Sequence, residues 1–211
     1  MPVLQRILKQ AVLELRARER ARDEVLGRAR RARIFSKQAI LLIHNGSFGE
    51  ADEKIGEARR LLGEMKPFLL DQAELWGFDE VHAALEEYSE ASILHSLKTI
   101  DVYPDPEEIE VPFNSYLLGM ADVVGELRRE ALDALRVGDI NAAEAELEVM
   151  EHIYLSLLSV EETSLLLKGL RRKLDIARGV IERTRGELTA EVGRQRLSDS
   201  LKELTDKLEE E

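Results

Sequence analysis

The chain of 211 residues contains no cysteine, only five prolines, one tryptophan and 5% aromatic residues. The missing cysteines exclude a thiolate nucleophile and a Cys-rich zinc site, and they suit a reducing, cytoplasmic setting. Histidine is scarce too, being limited to His44, His82, His95 and His152. A ferritin-like di-iron centre needs Glu-x-x-His on two helices, and the nearest approach is a single Asp79-x-x-His82. No apolar run approaches 18 residues and no charged-then-apolar leader is present, so neither a membrane span nor a secretory signal is expected. With 44% hydrophobic residues, the chain can bury one sizeable core, and a single helical domain over 1–211 is expected.

What the sequence does contain is helical periodicity. Apolar residues recur near every 3.6 positions from end to end, with no sustained alternation, which predicts an all-α bundle of about seven helices. The first runs over 3–44 and stops at the turn Asn45-Gly46-Ser47. Further helices are predicted over 49–70, 78–99, 113–136, from the cap Asp139-x-Asn141 to 158, over 161–185, and a charged one over 190–209. The last carries Leu197, Leu201, Leu204 and Leu208 at coiled-coil spacing, suited to its own bundle or a sister subunit. Trp76 and Phe78 read as core anchors, Tyr88 and Tyr116 as core packing, and His95 as structural or supporting.

Two groups of carboxylates interrupt this regularity. In Tyr116-Leu-Leu-Gly-Met-Ala-Asp122-Val-Val-Gly-Glu126-Leu-Arg-Arg129, Asp122 and Glu126 stack opposite an apolar face formed by Met120, Val123, Val124 and Leu127. Gly119 and Gly125 each cost about 1 kcal/mol in a helix interior, which asks for a close approach of backbone or ligand. In the preceding helix Glu87 and Glu90 share a sector with Ala83, Leu94 and Leu97. Carboxylates set in an apolar stripe are costly to bury unless paired or bound to a cation.

Charge is divided unevenly. Residues 1–45 carry 11 Lys and Arg against 4 Asp and Glu, net +7; the remainder carries 19 against 38, net −19. Arg16, Arg20 and Arg31 form one lane along the first helix and Arg18, Arg22 and Arg33 another, with Arg28 and Arg30 nearby. Such lanes track a phosphate backbone without reading bases; the competing reading is a salt-bridged surface helix, with Glu14 paired to Arg18 and Glu24 to Arg28.

The run from Tyr116 to Arg129, with Ser36-Lys37, Ile40 to His44, Leu85 to Ala91 and Val137 to Ile140, resembles the translin and TRAX family, in particular its catalytic TRAX-type branch. The resemblance spans roughly residues 14–185. It implies a metal-dependent endoribonuclease whose acids fall on Glu87, Glu90 and Asp122, with Glu126 as a fourth metal ligand and Mg²⁺ or Mn²⁺ as the ion. Held by carboxylates and waters, such an ion supplies a nucleophile and neutralises phosphate charge. The resemblance also implies a closed homo-oligomer, a hexamer or octamer, cleaving single-stranded or locally unpaired RNA in its interior, with single-stranded DNA as a further binding partner. The chain departs from the family in a short connection near 100–112 and in lacking a long basic tail before the first helix, so nuclear targeting is not expected. The alternatives are a translin-type RNA- or DNA-binding oligomer without catalysis, and a helical scaffold whose charged last helix mediates assembly.

Overall fold

Small residues set the packing of the first helix. The computed structural model describes residues 2–161 and 167–209. In it α1, Pro2–His44, buries Val25, Ala29, Ala32, Ser36, Ala39, Ile40 and Ile43. Alanine and serine along one seam let neighbouring helices come close, and α2, Phe48–Asp71, and α3, Asp79–Ile100, pack there. The first twenty-odd residues of α1 lack such a cover. Val3, Leu4, Ile7, Leu8, Val12, Leu13 and Leu15 are all exposed.

The α1 to α2 turn closes as its sequence predicts. Gly46 takes φ +74°, and the Ser47 amide donates to the Leu42 carbonyl at 2.9 Å. Between α2 and α3 lies a 3₁₀ turn, Ala73–Gly77. Here Trp76 and Phe78 are half-buried and Leu75 is the residue sunk into the core, so the anchoring role expected of the two aromatics passes to the leucine between them.

After α3 the chain crosses a connection to α4, Phe113–Arg136. That connection is pinned at several points. Ser96 Oγ donates to the Val102 carbonyl at 2.7 Å, Tyr116 Oη donates to the Pro104 carbonyl at 2.7 Å, and Arg59 donates to the Glu108 carbonyl at 2.8 Å. Lys66 and Arg59 both meet Glu110, whose carboxyl they hold below its ordinary range. Burial pushes the Tyr116 phenol up to about 12, with Asp105 and Tyr103 adding to the rise.

The chain divides into two compact units, Met1–Gly119 and Met120–Glu211. The second contains the rest of α4, α5 over Ile140–Glu161 and α6 over Leu170–Glu209. Gly138 at φ +80° ends α4, and Asp139 caps α5 by accepting the Ala142 amide at 3.0 Å. Leu147, Met150, Ile153 and Leu157 of α5 are buried, as are Leu170, Leu174, Ala177, Ile181, Thr184 and Leu188 of α6. The two helices pack on each other, joined also by an ion pair from Arg185 to Glu151 at 2.7 Å.

The sixth and seventh helices expected from the sequence are one. Only Gly186 and no proline falls between them, a single glycine costs a helix about 1 kcal/mol, and buried Leu188 carries the seam across. The stretch 162–166, expected to open the sixth helix, lies outside the described residues. No described helix is long and apolar enough to cross a membrane.

Candidate carboxylate site and nucleic-acid interface

Glu87 and Glu90 share a sector of α3, as their spacing predicts, and both are withdrawn from solvent. The Glu87 side chain is 16% exposed and Glu90 is 8% exposed. Isolated charges there would be costly, and Glu87 is compensated from α1. Arg33 Nε donates to its Oε1 at 3.0 Å, and Lys37 Nζ lies 3.3 Å from the same oxygen. Lys37 stands one turn beyond Arg33, so both cations reach the same carboxylate.

The backbone of α3 is crossed at this same turn. A Cβ on Gly119 would lie 2.6 Å from the Glu86 carbonyl oxygen, 2.7 Å from Ser89 Cβ and 2.9 Å from the Glu90 amide nitrogen. Only glycine lets the start of α4 rest directly on the turn that carries the two glutamates. Gly125 is different. Nothing lies within 4 Å of a Cβ built there, so the close approach expected for both glycines occurs at Gly119 alone.

In the second unit Asp122 and Glu126 are half-buried on α4. Lys173 of α6 places its ammonium 2.5 Å from Asp122 Oδ2, with the side chains 22% and 38% exposed. Further along both helices, Arg128 donates to Thr184 Oγ1 at 2.7 Å and to Glu187 at 3.0 Å, which fixes the facing register of α4 and α6. Within neither unit, among the described residues, do three carboxylate or imidazole side chains stand together as ligands for one ion. The sequence marks Lys37 only as part of the Ser36-Lys37 segment, not as a partner of Glu87, and does not single out Lys173. Lys37 is signalled by its spacing from Arg33, whereas nothing in the local sequence marks Lys173.

The arginines of α1 separate by lane. Arg18 pairs with Glu14 at 2.9 Å and Glu74 at 3.3 Å, Arg22 with Asp23 at 2.9 Å, and Arg33 with Glu87. Arg28 meets Glu24 and also Glu64 at 3.2 Å, with its guanidinium 5.6 Å from the Phe68 ring centroid; Arg30 reaches Glu80 at 3.7 Å. Arg16, Arg20 and Arg31 are exposed and make no ion pair among the described residues. Arg6 and Lys9 fall in the same sector, also exposed, and extend this lane toward the helix start.

His95 is structural, its Nε2 standing 3.1 Å from the Phe48 carbonyl and its ring edge-on to Phe48. Tyr88 and Tyr116 are both buried, as packing residues.

A helical bundle of this order, with a long basic first helix and a glycine crossing beneath two carboxylates, is of the all-α translin type. The sequence model of the Translin family matches residues 62–184, and the chain belongs to that family. A structure of AfC3PO with duplex RNA is similar at 37% identity and a TM-score of 0.79, over 89% of this chain and 97% of that one. The crystal structure of apo-NeC3PO is similar at 27% identity and a TM-score of 0.79, over 87% and 96%. A protein of Methanocaldococcus jannaschii, described as uncharacterized protein MJ0175, is 28% identical over 190 residues, 88% of this chain and 82% of its own.

Proposed function

We propose that this protein binds RNA and hydrolyses its backbone as a metal-dependent endoribonuclease of the TRAX-type branch, working inside a closed homo-oligomer of six or eight copies. The observation that carries the reading is the pair of glutamates on α3, withdrawn from solvent at a turn which Gly119 keeps clear for a helix crossing. RNA binding is supported by the lane of Arg16, Arg20 and Arg31, which has no ion pair among the described residues, and by the duplex-RNA complex solved for a 37% identical neighbour.

The donor set fits a hard divalent cation, since Glu87, Glu90, Asp122 and Glu126 offer only carboxylate oxygens. Those four residues would hold Mg²⁺ or Mn²⁺, which supplies an activated water and neutralises phosphate charge when bound. The chain's own cations set the remaining parts. Arg33 and Lys37 fix the rotamer of Glu87, Lys173 fixes that of Asp122, and the unpaired arginines draw in a strand without regard to sequence.

A second reading, RNA or DNA binding without catalysis, is favoured by the cation partners that Glu87 and Asp122 already have within their own units. Incubating labelled single-stranded and duplex RNA oligomers with the pure protein in Mg²⁺, Mn²⁺ or EDTA separates the two. The nuclease reading expects cleavage of the single-stranded oligomer in metal alone. It also expects alanine at Glu87, Glu90 or Asp122 to lower the rate on the order of 100-fold while the oligomer stays folded. Intact RNA in every metal, with binding retained, establishes the binding-only reading instead.

A further inference from the structure

Two cations on one carboxylate leave a surplus positive charge beside the α3 glutamates. We propose that Arg33 and Lys37 form a clamp for one phosphate of an RNA strand, and that Glu87 is the group that holds the clamp together. The inference rests on the RNA-binding reading above and adds to it a defined point of contact.

Its basis is the count of donors. Arg33 donates Nε to Glu87 and Lys37 holds its ammonium 3.3 Å from the same Oε1, so the two terminal nitrogens of the guanidinium and protons of the ammonium remain for another acceptor. Burial is unequal in the same sense. Glu87 is 16% exposed, whereas the Arg33 and Lys37 side chains are 47% and 56% exposed, so the anion is enclosed and the cations face solvent. The trio carries a net charge of +1. A tetrahedral phosphate with several acceptor oxygens complements a guanidinium and an ammonium held one helical turn apart, and charge-assisted bonds of this kind are the strong ones. Arg28 shows the contrast on the same helix. Its Nε and Nη1 both go to acids, Glu64 and Glu24, and although Arg60 shares Glu64 its cation is matched by more than one anion instead of half of one.

The same geometry gives Glu87 two states. With both cations in place its charge is compensated; with Lys37 removed it keeps one counter-ion and attracts a divalent ion more strongly.

The test uses the full chain and a labelled poly-uridine oligomer in EDTA, where binding is read by anisotropy across a salt series without turnover. K37Q and R33Q should each weaken binding about threefold to tenfold at low salt and flatten the slope of log affinity against log salt by about 0.7. K37R should restore both. E87Q keeps a side-chain oxygen that can still order Arg33 and Lys37 but removes the anion they share, and should bind RNA at least as tightly as the wild type, a change that a merely structural role for the trio would not produce. In parallel, titration calorimetry without RNA should show Mn²⁺ binding several-fold tighter to K37Q than to the wild type. Wild-type affinity and slope in the R33Q/K37Q double variant, with its helical melt intact, would overturn the clamp while leaving RNA binding and catalysis standing. A wild-type protein that fails to bind RNA overturns the RNA-binding reading and the clamp with it, whereas loss of cleavage with EDTA binding unchanged touches only the nuclease.

Discussion

The two arginine lanes of α1 are built from the same residue on the same helix, yet their surroundings make them different objects. Arg18, Arg22 and Arg33 meet acids of the 3₁₀ turn, their own helix and α3; Arg16, Arg20 and Arg31 pair with none of them among the described residues. An exposed guanidinium matched by a carboxylate contributes little field at a distance. An unmatched one keeps its full charge for a polyanion. Net charge per helix therefore says less about nucleic-acid binding than the direction each cation faces.

Charge reversal offers the hardest test of that contrast. Glutamate at Arg16, Arg20 and Arg31 together should lower RNA affinity on the order of 100-fold or more at low salt, for all sequences alike, because three phosphate contacts become three repulsions. Glutamate at Arg18 and Arg22 should change it by less than about fivefold. Gel-shift titrations of both variants against one RNA oligomer decide the matter, and equal losses would erase the distinction.

Stability should show the reverse order. Alanine at Arg28 removes contacts to Glu24, Glu64 and the Phe68 ring and should cost about 1 kcal/mol in a denaturant melt, while alanine at Arg16 should stay within about 0.5 kcal/mol of wild type.

Acid should narrow even that difference. The hydrogen bond from Arg28, aided by Arg60, holds the Glu64 carboxyl below its ordinary value of 4.5. As pH falls the unfolded chain takes up this proton first. The contribution is thus complete above 4.5 and is lost as pH drops through the lowered value. The melting gap between wild type and the Arg28 variant should shrink between about pH 7 and about pH 3, and a constant gap would assign the stabilisation to Phe68 instead.

Much of this was legible in the sequence, and the failures share a cause. Helix ends marked by local chemistry were readable, as at Gly46, Gly138 and Asp139, because a turn or cap is decided by its own residues. The break expected near 185–190 has only Gly186 to mark it, and the buried seam through Leu188 simply continues. Spacing also revealed that Glu87 and Glu90 share a face. What it could not supply was the partner across a helix interface: Arg33 lies 54 residues from Glu87, and Lys173 lies 51 from Asp122. The lanes were visible as angles; which lane would be neutralised depended on where α2 and α3 fold back.

Gly119 has a consequence for what a sequence signature can certify. The residue is fixed by the clearance between two helices, with α3 backbone atoms at 2.6 and 2.9 Å from where a side chain would begin, and that requirement is indifferent to whether the neighbouring acids do chemistry. A lineage that had given up cleavage but kept the bundle would still be held to glycine there, while Gly125, with open space around it, would be free to drift and would gain about 1 kcal/mol as alanine. A search keyed to that glycine therefore retrieves the shape of the scaffold, and sorting cutters from holders falls to the carboxylates themselves.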